Sequence, residues 1–141
     1  MDSREFMNEV AGILHCDEAR ADKVTYAVFQ ELRDRLTPRE AADVAAQLPH
    51  ELKRMWQEGE NADRHVQRTH VKEFIARVQS RAGLADDREA TRAVKAVFRT
   101  LQHLLSSRTG KEGEAWDVYS QLPKDLKQVW LETAAEETPR R

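Results

Sequence analysis

The most informative part of the chain is EAADVAAQLPHELKRMW at residues 40–56, because it recurs as EAWDVYSQLPKDLKQVW at residues 114–130. Shorter identities precede it in the same order, at residues 5–6 and 73–74 and at residues 27–29 and 96–98. The offset between matched residues is 68 to 69 in the early part and 74 in the later part, which places a five-residue insertion near 109–113. Eighteen identities in register indicate an internal repeat.

Within each repeat the apolar residues recur at the spacing of amphipathic helices, and the pattern predicts four helices per repeat. Asp17 is expected to cap the second helix, and Gly83 to end the fifth. Thr37-Pro38-Arg39-Glu40 has the pattern of a capping box, in which the glutamate side chain reaches back to the amide of the threonine. No useful stretch alternates with a period of two, so the predicted fold class is all-α.

This pattern predicts two tandem four-helix repeats, about eight helices in all. The first repeat covers residues 1–60, the second covers 61–136 with the insertion near 109–113, and residues 137–141 form a frayed polar tail. Because a unit of about 60 residues buries only a modest fraction of its surface, the repeats are expected to share apolar contact. We expect pseudo-twofold packing into one compact bundle. The pattern leaves the start of the fifth helix open between Asn61 and Thr69.

Composition narrows the class of protein. The chain has 141 residues, of which 40% are hydrophobic and 34% charged, and its formal net charge is −2. No apolar run approaches the roughly 20 residues that a membrane span requires, and the first residues are charged, unlike the apolar core of a signal peptide. A single cysteine, Cys16, excludes an internal disulfide framework and a multi-cysteine zinc site. We therefore predict a cytoplasmic protein without membrane association.

The repeated motifs are similar to those of a known family. Glu-Phe followed by Val four residues on, then Ala-Val-Phe, then Gln-Leu-Pro-x-x-Leu resembles the bacterial family of unknown function DUF2267. The resemblance covers Glu5 to about Glu132 and is clearest over residues 41–52. The resemblance implies an all-helical fold, and it implies no particular activity, substrate or cofactor. One departure is the insertion at 110–113, where a short Ser-Gly-Gly-like cap is usual.

No pattern typical of a catalytic or cofactor site is present in the sequence. A di-iron bundle needs Glu-x-x-His, and no histidine has a carboxylate three residues before it. His70 and Glu73 occur once in the reverse order, which is typical of a solvated turn. Cys16 lies between His15 and Asp17, where a helix N-terminus can lower the pKa of a thiol, but adjacent side chains point in different directions. We therefore predict a non-catalytic protein with no metal or cofactor.

Charge is unevenly distributed along the chain. Residues 1–60 hold 8 basic and 13 acidic side chains, net −5, and residues 61–141 hold 15 and 12, net +3. Four basic residues of the sixth helix follow one another at spacings of four, three and four, so they form a stripe opposite its apolar side. With two arginines of the fifth helix they make a candidate anion- or partner-binding face: Arg77, Arg81, Arg88, Arg92, Lys95 and Arg99.

The alternative interpretation of this basic face is an ordinary solvated helix surface. The isoelectric point of about 6.2 argues against a dedicated nucleic-acid binder. No aromatic residues interleave with the arginines for base stacking.

Three tryptophans are candidate partner anchors. Trp56 and Trp130 occupy matched positions four residues after leucines, which favours burial in the core, with an exposed anchor as the alternative. Trp116 has no aromatic counterpart, since Ala42 stands at its matched position, so it is the better candidate for a specific contact.

These observations predict a non-catalytic helical interaction module that binds a protein partner or a second copy of itself through a groove between the repeats. A first alternative is nucleic-acid or polyanion binding through the basic face of the second repeat. A second alternative is small-molecule binding in a cavity between helices.

Overall fold

The computed structural model describes residues 1–109 and 113–137. Within them the chain forms eight helices and no strand, which confirms the all-α prediction. The helices are α1 (Ser3–Leu14), α2 (Glu18–Asp34), α3 (Pro38–Gln47), α4 (His50–Gln57), α5 (Val71–Ala82), α6 (Asp87–Thr109), α7 (Gly113–Gln121) and α8 (Lys124–Glu137). Residues 110–112 of the expected insertion and 138–141 of the expected tail lie outside the described residues.

Local side-chain chemistry sets several of the helix ends. Asp2 and Glu5 form a full capping box at the start of α1, each side chain accepting from the other residue's amide at 2.8 Å. Asp17 caps α2 by accepting from the amide of Arg20 at 2.9 Å. α5 ends at Gly83, whose φ of +65° suits a residue without a Cβ. The predicted caps at Asp17 and Gly83 are therefore confirmed.

The segment between α4 and α5, residues 58–70, is held against the C-terminal end of α2. The amide of Gln67 donates to the carbonyl of Asp34 at 2.8 Å, and Arg64 Nη2 donates to the carbonyl of Arg33 at 3.0 Å. Arg33 in turn donates to the carbonyl of Trp56 at 3.0 Å. These bonds end on carbonyl groups in the last turns of α2 and α4, and α5 begins only after them, near the later of the two expected starts.

One apolar core joins the first half of the chain, residues 1–60, to the second half, residues 61–136. The long helices α2 and α6 contact each other, and each of them also contacts both α1 and α5. Aromatic rings pack along the core at edge-to-face or tilted angles. Their centroid distances are 5.8 Å for Phe6–Phe29, 5.3 Å for Phe29–Trp56, 6.0 Å for Phe74–Phe98 and 5.1 Å for Phe98–Trp130.

A buried ion pair lies where α2 meets α5. Arg35 Nη1 donates to Glu31 Oε1 at 2.9 Å, and both residues are 1% exposed. The guanidinium of Arg35 also lies over the ring of Phe74, 4.9 Å from its centroid. Arg81 of α5 reaches the second oxygen of the same carboxylate, with Nε 2.6 Å from Oε2. The buried carboxylate of Glu31 on α2 therefore holds the side chains of Arg35 and Arg81 in place. Through Arg81 it also helps to position α5 against α2.

Replacing Glu31 with glutamine is expected to lower the free energy of unfolding by about 3–5 kcal/mol, because Arg35 would keep a buried charge without its counter-charge. Urea denaturation followed by circular dichroism measures the change. The control is Arg77→Ala, because that guanidinium is 55% exposed and lies 4.0 Å from Glu31. The control should cost less than about 1 kcal/mol. Equal losses of stability in the two variants would show that the buried Glu31–Arg35 pair contributes no more than the exposed contact of Arg77 with Glu31.

Candidate functional sites

Ion pairs within the molecule neutralise part of the basic face. Arg88 is exposed, as the sequence predicts. Three of the six residues have a carboxylate within 4.0 Å, namely Arg77 and Arg81 with Glu31, and Lys95 with Glu132. These pairs lower the positive charge that the face offers to an anion.

A shallow groove of about 280 Å³ separates α1 from α6 and takes up part of the basic face. Ile13 and Leu14 of α1 line it together with Arg92, Lys95 and Arg99 of α6. Lys95 and Arg99 are half-buried for this reason. This corrects the expectation of a fully solvated stripe, since α1 covers a side of α6 that periodicity alone assigns to solvent. The groove lies between the two halves, since α1 belongs to the first half and α6 to the second.

A larger concavity lies elsewhere, among α1, α2 and α4, with a volume of about 720 Å³. Met7, Leu52 and Met55 give it an apolar lining, and acidic residues such as Glu18 and Asp22 stand beside them. All of its lining residues belong to the first half. It is a groove between helices that is open to solvent.

The three tryptophans divide into two buried residues and one exposed residue. Trp56 and Trp130 are 1% and 4% exposed, so neither indole is accessible to a partner. This corrects the alternative in which they anchor a partner; the helical stripe that they share with leucines faces the core. Trp56 Nε1 donates to the carbonyl of Ala41 at 2.9 Å, which satisfies its polar atom. Trp116 is 58% exposed.

The surroundings of Trp116 form a distinct surface, which we call the Trp116 patch: Trp116, Tyr119, Lys127 and Leu131. The rings of Trp116 and Tyr119 are 5.0 Å apart on α7. Lys127 Nζ of α8 lies 5.4 Å from the centroid of the Tyr119 ring. Leu131, one helical turn after Lys127, is 46% exposed. Aromatic, apolar and cationic groups are therefore presented together on two adjacent helices.

Cys16 does not have the environment of an activated nucleophile. Burial raises the pKa of its thiol, and the neighbouring charge of Asp17 raises it further. The thiolate form is thus disfavoured, which corrects the option of a thiol activated by the start of α2. His70, the other residue considered for chemistry, lies with Nδ1 3.3 Å from Asp125 Oδ2 on α8.

Glu40 departs from the predicted capping box. Thr37 Oγ1 accepts from the amide of Glu40 at 3.1 Å, as the pattern predicts. The amide of Thr37, however, donates to Oε1 of Gln121 at 3.1 Å instead of to Glu40. Because the last residue of α7 supplies this acceptor, the carboxyl group of Glu40 is not needed at the cap and turns toward α7.

Three carboxyl groups meet where α3 contacts α7. One oxygen from each of Glu40, Glu114 and Asp117 lies within 4.8 Å of the others. Glu40 is 7% exposed, Glu114 is half-buried and Asp117 is exposed. Burial raises the pKa of Glu40 to about 9, and a hydrogen bond with Glu114 and the charges of Glu114, Asp117 and Asp43 raise it further. No sequence pattern predicted this cluster, although its two glutamates occupy matched positions of the repeated segment.

Together these features define a helical protein with one shared core and surface sites at the contacts between its halves. None of the described helices is long and apolar enough to cross a membrane. The chain belongs to the family described as "Uncharacterized conserved protein (DUF2267)", which matches residues 3–129 and confirms the predicted resemblance. No curated protein matches the chain significantly. The family description names no activity.

Glu40→Gln is expected to stabilise the protein increasingly as the pH rises. The folded state holds the Glu40 proton up to a pKa of about 9, whereas the unfolded chain releases it near 4.5. The native carboxyl group therefore reduces stability as the pH rises between these values, and glutamine removes that loss. The gain in the free energy of unfolding should be smallest near pH 5 and should grow by about 1.4 kcal/mol per pH unit, which amounts to about 4 kcal/mol by pH 8.

Urea denaturation at pH 5, 6.5 and 8, in buffer with EDTA, measures this difference. Asp43→Asn is the control, because it removes an exposed carboxylate from the same helix. That variant should change stability by a few tenths of a kcal/mol at every pH. A gain in Glu40→Gln that did not vary with pH would contradict the raised pKa.

Proposed function

We propose that this protein is a non-catalytic helical interaction module and that the Trp116 patch is its binding surface for protein. The observation that carries the proposal is the 58% exposure of Trp116 on a helix packed against α3 and α8. Tryptophan and tyrosine are enriched at the centres of protein interfaces, because they bury a large area at a small cost in side-chain entropy. A pair of them at 5.0 Å gives a partner a preformed surface.

The occupant that we propose for this patch is a second copy of the chain. Lys127 adds a positive charge beside the aromatic rings, and the first half of the chain carries a net charge of −5. The open groove of the first half combines an apolar lining from Met7 and Met55 with acidic residues at Glu18 and Asp22. Apolar and charged groups on the two surfaces are therefore complementary between molecules.

The non-catalytic part of the proposal is supported by the residues that were candidates for chemistry. The pKa of Cys16 is raised instead of lowered. His70, the other residue considered for chemistry, is 3.3 Å from the carboxylate of Asp125 on α8.

We also propose that the chain is a bacterial, cytoplasmic protein built by tandem duplication, with its halves related by a pseudo-twofold axis. Two observations support the duplication. α1 and α5 each contact both long helices, and the aromatic contacts of the two halves involve matched positions. The single cysteine is consistent with a reducing compartment.

Trp116→Ser is expected to abolish self-association without unfolding the chain, because the exposed indole contributes area to the interface and little to the core. Sedimentation velocity from about 1 μM to 1 mM should show concentration-dependent association of the native chain and a monomer for the variant, a range that spans weak to moderate affinities. Ala42→Ser, at the matched position on α3, should associate like the native chain. A native chain that remains monomeric throughout, and for which affinity capture finds no partner above background, would reject the proposal.

Polyanion binding remains the second candidate, because Arg92 and Arg99 line the α1–α6 groove without an ion pair to any residue that the structure describes. It predicts that labelled duplex DNA or single-stranded RNA binds at about 50 mM salt and much more weakly at about 200 mM. Fluorescence anisotropy measures this, and Arg88→Glu/Arg92→Glu/Arg99→Glu should abolish it.

Arg39→Glu/Lys53→Glu/Arg54→Glu is the matched control, since it reverses three charges in the first half. The control should retain binding. If the native chain fails to bind at the lower salt, this candidate is eliminated.

A further inference from the structure

The Trp116 patch and the groove among α1, α2 and α4 belong to different halves of the chain. The patch is formed by residues of α7 and α8, whereas the groove is lined only by residues of the first half. The volume of the groove, about 720 Å³, is large enough to admit the two aromatic rings of the patch. The two surfaces share no residue, so one molecule is able to use both at the same time.

The apolar residues of the patch have no counterparts in the first half. The positions matched to Trp116, Tyr119 and Leu131 are Ala42, Ala45 and Gln57. Two alanines and a glutamine do not provide the aromatic and aliphatic area of the patch. The first half therefore lacks a second copy of this surface.

The groove likewise differs from the matched region of the second half. There, Asp125 of α8 accepts from the backbone amide that starts α5, at 2.9 Å, and ties these two helices together. Lys95 of α6 lies 3.5 Å from Glu132 of α8 and links a second pair of helices. In the first half the residues matched to Asp125 and Lys95 are Glu51 and Tyr26, and both of them line the groove. Side chains that join helices in the second half are thus replaced by side chains that face an open groove in the first.

The side chains of the groove suit the patch in both polarity and charge. Met7 and Met55 give it a flexible apolar lining, and methionine sulfur packs favourably against aromatic rings. The ionisable acidic and basic residues of the lining are Glu18, Asp22 and Glu51, with Arg4 and Lys23. Partial burial raises the pKa of Asp22, and the charge of Glu18 raises it further, so an approaching cation stabilises the charged forms of this pair. The ammonium group of Lys127 in the patch supplies such a cation.

We propose that the chain assembles head to tail, with the Trp116 patch of one copy seated in the groove among α1, α2 and α4 of the next. This inference rests on the proposed function and specifies how the copies meet. A contact between two different surfaces leaves one patch and one groove unoccupied in a pair, so a third molecule adds in the same way. Self-association therefore continues beyond the dimer, unlike the pairing of a patch with the same patch about a twofold axis.

Variants of each surface test this arrangement. Trp116→Ser removes the patch and keeps the groove, whereas Asp22→Lys and Met55→Lys alter the groove and keep the patch. Thr91→Lys is the control, because it adds a lysine at the position of α6 matched to Asp22. In sedimentation velocity up to about 1 mM, the native chain and the control should form species larger than a dimer, and each groove variant should associate at least tenfold more weakly. Circular dichroism checks that every variant keeps its helices.

A mixing experiment follows, because the two classes of variant retain opposite surfaces. Trp116→Ser and Met55→Lys are mixed in equal amounts at a concentration where each alone is monomeric. They should form a heterodimer that does not grow further, since each molecule has lost the surface that a third copy needs. If Met55→Lys does not fold, Asp22→Lys takes its place in the mixture.

The outcomes separate this inference from the proposed function. A native chain that stops at the dimer, or a mixture that forms no heterodimer, overturns head-to-tail assembly. If Trp116→Ser is monomeric while both groove variants associate like the native chain, the patch pairs with itself, and the proposed function stands without this inference. A native chain that is monomeric at every concentration overturns both.

Discussion

The packing of α2 against α6 is the contact on which the rest of the molecule depends. Residues of both halves contribute to one buried core, and a small unit buries a smaller fraction of its surface than a large one, so the shared contact adds to the stability of both halves. α1 and α5 each contact both long helices, which closes a single core around them. The places where the halves meet at the surface, the α1–α6 groove and the α3–α7 contact, follow from this shared packing.

Two buried acidic groups show how differently a helical core can treat a carboxylate. Glu31 accepts from Arg35, the residue that follows α2, and from Arg81 on α5, so its charge is matched within the fold. Glu40 faces other carboxyl groups, and its pKa rises to about 9 because burial disfavours the charged form. The first arrangement positions a helix. The second leaves a buried carboxyl group that is protonated at neutral pH and hydrogen-bonded to Glu114.

The surface contains one large aromatic group that is open to solvent and several basic groups that are paired within the fold. Trp116 is exposed beside Tyr119, and no burial requirement of the core explains a large indole at that position. By contrast, Arg81 and Lys95 of the basic face are paired with carboxylates of neighbouring helices. In an isolated helix these cations would be exposed to solvent, whereas in the assembled bundle only some of the basic residues are exposed.

Helix positions, their caps and their core-facing sides were determined by the sequence, because these depend on interactions within a few residues. The caps at Asp17 and Gly83 and the burial of Trp56 follow from such local rules. The partners of polar side chains were decided by the tertiary structure. Gln121 lies 84 residues from Thr37 and still takes the place that the capping box gives to Glu40. Periodicity defines which face of a helix is apolar, but packing decides which helix covers its polar face.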